Sequence, residues 1–276
     1  MSTKTVLIGA DPEVFIYNEV LSHPVSAHDL VPGTKKDPQK VPLGAIQVDG
    51  LAAEFNINPA KTKKEFVKNI KHVQGILLKL VQKKNKNLKL LAQPSISFPS
   101  FILKDLPDTV LELGCDPDYS AYTMDVNPKP NSSVNFRTGA GHVHVGFLEK
   151  PIDEDTIYSD EHFERCADLV RNLDFVLHPM SKLWDTDTIR NQLYGCKGAF
   201  RPKTYGVEYR VLSNAWLKRT ELIEYVYSMT KAVSIRWLNG EKVLEMGLSE
   251  PMEDLSKFNS WLVSKKFPEY TANEVN

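Results

Sequence analysis

The chain has 276 residues, enough for one large domain or two modest ones and for a substantial buried core. Hydrophobic residues at 42% and charged residues at 25% are ordinary for a globular protein. The balance of 34 basic against 35 acidic side chains argues against a dedicated nucleic-acid binder, so no nucleic acid is expected as a main partner.

The opening MSTKTVLIGADPEVF holds an apolar run too short for a signal peptide or a membrane span. Strands are predicted over residues 4–9 and 13–17, broken by Asp11-Pro12. Residues 22–44 carry Pro24, Pro32, Gly33, Pro38, Pro42 and Gly44 and read as an ordered loop. AIQVDGLAAEFNINP, residues 45–59, reads as a hairpin turning near Asp49-Gly50. Thr62 and Glu65 then form a capping box, and Phe66, Ile70, Val73, Leu77 and Leu80 follow at helical spacing. The lysines of LLKLVQKKNKNLKL suit the end of that helix, where cations meet the negative pole of its dipole.

Residues 87–114 are expected to return as strands, punctuated by Pro94, Pro99 and Pro107, and VNFRTGAGHVHVGFL (134–148) as a strand or hairpin. A second helix is predicted from Ser159 to just before Pro179, with Phe163, Cys166, Leu169, Val170, Leu173 and Val176 on one stripe. GVEYRVL (206–212) reads as a strand, and a third helix near 218–238 buries Leu222, Val226, Met229 and Val233. Hairpinned strands with a few long helices on one side indicate an α+β fold around an antiparallel sheet. No linker stands out, so 1–276 is expected to be a single domain. Cys115, Cys166 and Cys196 are odd in number and lack CxxC spacing, which suits reduced thiols and a cytoplasmic setting.

Strand parity exposes the chemistry. In GAGHVHVG, His142 and His144 share one face and Val143 and Val145 the other. Glu54, Asn56 and Asn58 share a face opposite Phe55 and Ile57, as Glu208 and Arg210 do opposite Val207, Tyr209 and Val211. Glu13 opens a further strand. Solvent faces favour Thr, Lys, Ser and Gln, whereas these positions hold carboxylate, imidazole and guanidinium. Carboxylates gathered on one concave face would raise one another's pKa unless cations lay between them. A carboxylate-rich set with imidazole suits Mg²⁺ or Mn²⁺ rather than zinc. Arg137, Arg190, Arg201 and Arg210, with Lys197 and Lys203, add guanidinium and ammonium groups that suit an anionic substrate. No GxxxxGK[ST] loop is present, so ATP phosphates would be held by metal ions and arginines instead.

GADPEVF, QVDGLAAEFNINPA, GCDPDYSAYT, FRTGAGHVHVG and RNQLYGCKGAFRPKTYGVEYRVLSNAW occur in this order between about residues 8 and 217. Together they resemble the phage-type COOH–NH2 ligases, amidoligases grouped with glutamine synthetase and glutamate–cysteine ligase. The C-terminal region, about 218–276, is expected to be helical and carries no recognised motif beyond 240.

The resemblance implies a glutamine-synthetase-like catalytic domain, a curved, mainly antiparallel sheet with helices packed on its outer face, whose concave face holds ATP, Mg²⁺ ions and substrate. By position it implies Glu13, Glu54, His142 and Glu208 as metal ligands. His144, Arg201, Lys203 and Arg210 would meet the nucleotide, and Asn56, Arg137 and Arg190 the substrate. Glu208, Arg201 and Arg210 would be the catalytic group. One glutamate stands where glutamine synthetase has a Glu-x-Glu pair, leaving open whether Asp11 replaces the missing ligand.

The activity implied is a carboxylate–amine ligase working through an acyl phosphate, with a carboxylate and an amine as its partners and no membrane. The identities of those substrates and the oligomeric state stay open. Asp49 and Asp116 are loop candidates for the base that deprotonates the amine. Two rival readings are a cupin-like metalloenzyme using His142, His144 and Glu149, and a non-catalytic binding protein on the same fold.

Overall fold

The computed structural model describes residues 5–112, 117–128 and 133–241, with Ser260 and Val263. Cys115, Asp116 and the region expected to be helical beyond 241 lie outside these residues. β1 (Leu7–Ala10) and β2 (Glu13–Asn18) are successive strands interrupted at Asp11-Pro12, as the proline predicts. The proline-rich stretch expected to be loop contains two short strands, β3 (His23–Val25) and β4 (Gln39–Val41). β5 (Gly44–Asp49) and β6 (Ala52–Ile57) form the expected hairpin, turning at Gly50 with φ 55°.

α1 (Lys63–Lys84) begins at Thr62, whose hydroxyl accepts the Glu65 N–H at 3.2 Å. The Glu65 carboxylate reaches back one residue further than a capping box requires, accepting the Lys61 N–H at 2.8 Å. Phe66, Ile70, Val73 and Leu77 are buried, whereas Leu80 is half-buried at the edge of the stripe. β7 (Leu88–Leu91) and β8 (Ser95–Ser97) follow. There the expectation of further strands fails. Pro99 and Pro107 open the single-turn helices α2 (Ser100–Leu103) and α3 (Asp108–Leu111). A proline's fixed φ suits entry to a helix, and its missing N–H does not suit a ladder.

β9 (Tyr119–Ser120), β10 (Phe136–Thr138) and β11 (Val143–Gly146) come next. β10 and β11 are not one strand or one hairpin. β10 pairs with β8, β11 pairs with β1, and the chain changes sheet at Gly139–Gly141. α4 (Asp160–Ser181) continues through Pro179 instead of stopping before it, because the proline falls in the last turn and interrupts little of the helix. α5 (Thr188–Leu193), β12 (Ala199–Lys203), β13 (Gly206–Tyr209) and α6 (Thr220–Leu238) complete the order.

Strands β1-β11-β13-β12-β9 make one antiparallel sheet and β3-β2-β6-β5-β4 another, with β7 also on β2. The segment around Asp11-Pro12 joins them. Asp11 and Glu13 donate backbone N–H groups to His142 and Ala140, while the Pro12 carbonyl accepts from Phe55 and Ile8 bridges Ala60. The result is a curled antiparallel half-barrel in a mixed helix–sheet fold.

Parity sends Val143, Val145, Val207 and Tyr209 to the apolar side, where they share a core with Leu169, Leu173, Val226 and Met229 of α4 and α6. Each such side chain contributes roughly 1.5–3 kcal/mol by leaving water. Tyr209 also donates its hydroxyl to Asp174 Oδ1 on α4 at 2.6 Å, tying helix to sheet. Among the described residues no helix is long and apolar enough to cross a membrane.

The glycines of the histidine motif have a steric reason. A Cβ at Gly141 would lie 2.2 Å from the Ser213 carbonyl oxygen and 2.4 Å from Trp216 Nε1. The Trp216 indole cannot retreat freely, since it is fully buried and donates to the Gly141 carbonyl at 3.0 Å. Gly141→Ala is therefore expected to destabilise by about 3 kcal/mol, as overpacked cores do. A urea midpoint equal to that of the wild type would refute this.

Candidate active site

Antiparallel register builds the site. Gly9, His144, Glu208 and Arg201 are consecutive partners across β1, β11, β13 and β12, so the latter three side chains share one face. One step along, Asp11 enters beside His142 because its own N–H is bonded to the His142 carbonyl. The outcome is a triad. One ligand atom each from Asp11, His142 and Glu208 lies within 4.8 Å of the others. His142 Nδ1 stands 3.2 Å from Glu208 Oε1 and 3.6 Å from Asp11 Oδ1. His144 Nε2 is paired with the same Asp11 oxygen at 2.9 Å.

Cations surround Glu208, whose side chain is 1% exposed. Arg210 Nη1 donates to its Oε1, Lys203 Nζ lies 2.8 Å from Oε2, and Arg201 Nη1 lies 3.4 Å from Oε2. Burial alone would raise the Glu208 pKa. The hydrogen bond and charge of His142, then Lys203 and His144, outweigh it and hold the carboxyl well below its usual range. Burial, followed by the Arg210 charge, pushes His142 down to about 4 despite Glu208 and Asp11. The ring is neutral at physiological pH and has a lone pair to offer. For His144 burial works downward too, but Asp11 and Glu208 prevail and raise its pKa.

A second group of carboxylates adjoins the triad. Glu13 and Glu54 are directly paired across β2 and β6. Gln47 donates to Glu54 Oε2 at 2.9 Å, and the Ala140 N–H donates to Glu13 Oε2 at 3.0 Å. Burial, then the charge of Asp49, raises Glu13 to about 8. Burial, then Asp11, Asp49 and Glu13, raises Glu54 well above the usual range. Asp11 thus acts electrostatically on both groups. Beside them opens a cavity of about 430 Å³, lined in part by Asp11, Glu54, Asn56, Gln47, His144 and Tyr205. That volume lies within the range of small-molecule and cofactor sites.

No family model matches this chain, and no curated protein does. Two carboxylates and a neutral imidazole form a donor set that fits a hard divalent cation.

Of the four ligands expected from sequence, His142 and Glu208 are in the tight triad, with Asp11 as its third member. Glu13 and Glu54 form the neighbouring group. Arg210 is 3% exposed and fully engaged with Glu208, Asp118 Oδ2 at 3.0 Å and Tyr194 Oη. Arg190 is 1% exposed; Nη1 donates to the Val211 carbonyl at 3.2 Å, while Nε and Nη2 have no hydrogen-bond partner. Nη1 also lies 3.6 Å from Asp185 Oδ2; burial lowers the Arg190 pKa, against the charges of Asp185 and then Glu13. A Cβ at Gly195, where φ is 68°, would lie 2.6 Å from Arg190 Nη2, so this glycine makes room for the guanidinium. Arg137 is buried on β10 and donates to the carbonyls of Val134, Phe136 and Leu111.

Sequence reasoning missed Tyr194, Tyr205 and Asp118. Tyr194 Oη meets His142 Nε2 at 3.3 Å, Tyr205 Oη meets His144 Nδ1, and Asp118 accepts from Arg210. These residues lie outside the strands whose alternation marks the polar face.

Proposed function

We propose that this chain is an ATP- and Mg²⁺-dependent carboxylate–amine ligase, forming an amide or peptide bond through an acyl phosphate. One observation carries the reading. Groups from distant parts of the chain meet on one face of the curled sheet, where Asp11, His142 and Glu208 converge beside Arg201 and Lys203. The resemblance in sequence motifs points the same way.

Asp11, His142 and Glu208 would hold one Mg²⁺ or Mn²⁺, and Glu13 and Glu54 a second. A bound cation would neutralise phosphate charge and polarise the phosphoryl group. The residues of the chain supply position and counter-charge. Lys203, 29% exposed, can exchange Glu208 for a phosphate oxygen, whereas Arg210 is locked and keeps Glu208 in place. Arg201 sits on the same face and adds a second cation toward the transferring phosphoryl group. Arg190, which the resemblance places at the substrate, is buried and ion-paired with Asp185, so it would act on a substrate carboxylate through its charge rather than by direct contact. The cavity lined by Asn56, His144 and Tyr205 would take the nucleotide.

In the first step a carboxylate oxygen bonds to the γ-phosphorus and ADP leaves. In the second, the amine nitrogen bonds to the acyl carbon, inorganic phosphate leaves, and a carboxylate takes the amine proton. Asp49, at the end of β5, is the described candidate for that base: its charge reaches Glu13, Glu54 and Arg137. A cytoplasmic setting, in a host bacterium if the chain is phage-encoded, goes with this reading.

Purified protein incubated with ATP, Mg²⁺ and pools of amino acids or cell-wall peptides is expected to release ADP together with a condensed product. Neither ADP nor a ligated mass from any pool would defeat the proposal. The rival cupin-like set is not gathered, since Glu149 is exposed beyond β11 and lines a different cavity with Phe147 and Arg165. Glu149→Gln is accordingly expected to leave turnover within twofold of the wild type, as surface substitutions away from a site do; a loss comparable to that of Glu208→Gln would revive the rival.

A further inference from the structure

Three glycines share the face of the sheet that carries His144 and Glu208, and the backbone requires only one of them. Gly206 has φ 148°, and a Cβ on it would lie 2.2 Å from the Val145 carbonyl oxygen. Gly9 and Gly146 have no positive φ, and a Cβ on either would meet nothing nearer than 3.5 Å. Glycine weakens a strand, because it is costly to order and packs nothing, so these two positions need another reason. We propose that Gly9 and Gly146 are the floor of a purine subsite, on which the base of ATP lies flat against the backbone of β1 and β11. The proposal rests on the ligase reading in taking ATP as the nucleotide.

Both glycines line the cavity of about 430 Å³, and its walls suit a flat, mainly apolar ring. Leu7 lies directly across the ladder from Gly146, and Ile57 and Pro59 bring apolar surface from the end of β6. Tyr205 stands at the side, its hydroxyl meeting His144 Nδ1. The Asn56 amide, in the same lining, offers both a donor and an acceptor to the edge of a base. Glycine is the residue that lets a ligand approach a strand this closely. A methyl raised from either floor position would take the layer in which the ring rests.

Register gives the direction in which the phosphates leave. Leu7, Gly146, Gly206 and Lys203 form one row across β1, β11, β13 and β12. Gly9, His144, Glu208 and Arg201 form the next row, about 7 Å along the strands. Lys203 and Arg201 therefore stand two strands away from Gly146 and His144, about 10 Å across the sheet. A base over the two glycines has these cations within reach of its own triphosphate, on the same face as the carboxylate of Glu208.

Alanine separates the ligand from the fold. With room for a Cβ and no positive φ, Gly146→Ala and Gly9→Ala are expected to keep or raise the thermal midpoint of the ligand-free protein. The same methyl is expected to weaken ATP binding about 10-fold, the lower end of what one carbon changes in a close-fitting pocket. Gly75→Ala is the matched control, since Gly75 lies on α1 and its Cβ would have no neighbour within 4 Å.

The test uses full-length protein and Mg²⁺, with calorimetric titrations of ATP and, separately, of inorganic triphosphate, and methyl spectra of the wild type. Gly146→Ala and Gly9→Ala are expected to lose affinity for ATP and keep that for triphosphate, while Gly75→Ala keeps both. In the wild type, ATP is expected to shift the Leu7 and Ile57 methyl signals through the ring current of its base, and triphosphate to leave them in place. Methyls that stay unmoved at saturating ATP overturn the subsite, even if both variants fail to fold, and leave the ligase reading standing because ATP is bound. Folded variants that bind ATP as the wild type does, or lose ATP and triphosphate alike, overturn it as well. A wild type that binds no ATP removes the ligase reading and this subsite together.

Discussion

Glu208→Gln is expected to abolish ATP turnover and to lower the stability of the cation-free protein by about 3 kcal/mol, the lower end for breaking a buried ion pair. The carboxylate is the hub of the site: it accepts from Arg210, faces His142, and balances Lys203 and Arg201. A glutamine keeps the shape and loses the charge, so Arg210 remains buried without its main counter-ion. Lys203 and Arg201 are partly hydrated, which is why the lower end applies.

The pH dependence has a definite sign. The folded pKa of Glu208 is depressed from 4.5, so its contribution is present above that value and is lost as pH falls through the folded pKa. The gap in thermal midpoint between wild type and Glu208→Gln should therefore be full near pH 7 and close in strong acid. Adding Lys203→Met to Glu208→Gln should recover part of the loss, since the two residues are in contact and their effects couple. A Glu208→Gln protein with normal turnover would remove the central support of the ligase reading.

What the sequence made legible was whatever repeats with period two or 3.6. Alternation located the polar faces of β2, β6, β11 and β13, and apolar spacing located α1, α4 and α6. Register was not legible. No local pattern says that Glu208 sits between His144 and Arg201, or that Glu13 opposes Glu54. Asp11 illustrates the difference. It lies in the two-residue break between β1 and β2, where parity gives no direction, and only the backbone bond to His142 brings it to the imidazoles.

Tyr194 and Tyr205 were hidden for a similar reason, one ending a short helix and the other in the turn between β12 and β13. Prolines misled in both directions: they suggested broken strands where Pro99 and Pro107 begin helical turns, and a helix stop at Pro179 that does not occur. β12 was read for its motif rather than as a strand, yet it supplies Arg201 and Lys203 to the site.

The paired glutamates give the second large effect. Freed of divalent cations, the protein is expected to lose stability as pH rises from 6.5 to 8, and Mg²⁺ or Mn²⁺ should cancel that loss. Burial and neighbouring carboxylates raise Glu13 from 4.5 to about 8 and raise Glu54 well above its usual range. A raised acid binds more protons folded than unfolded, so its stabilising contribution is complete below 4.5 and lost as pH climbs through the folded pKa.

Below 6.5 this trend is masked, because His142 and His178, both pushed down to about 4 mainly by burial, destabilise in the opposite sense. Above 6.5 those histidines are neutral in both states. Asp174, raised to about 7 chiefly by burial, and His144, raised by Asp11 and Glu208 against burial, then act in the same direction as the glutamates. Each proton retained across this window corresponds to about 2 kcal/mol.

Glu13→Gln with Glu54→Gln should flatten most of the slope, raise the thermal midpoint of chelator-treated protein at pH 8, and weaken its response to added cation. The slope left over belongs to Asp174 and His144. A chelator-treated wild type whose midpoint holds steady or climbs from pH 6.5 to 8 would mean that Glu13 and Glu54 are already neutralised from within the chain. A second cation would then have nothing to compensate.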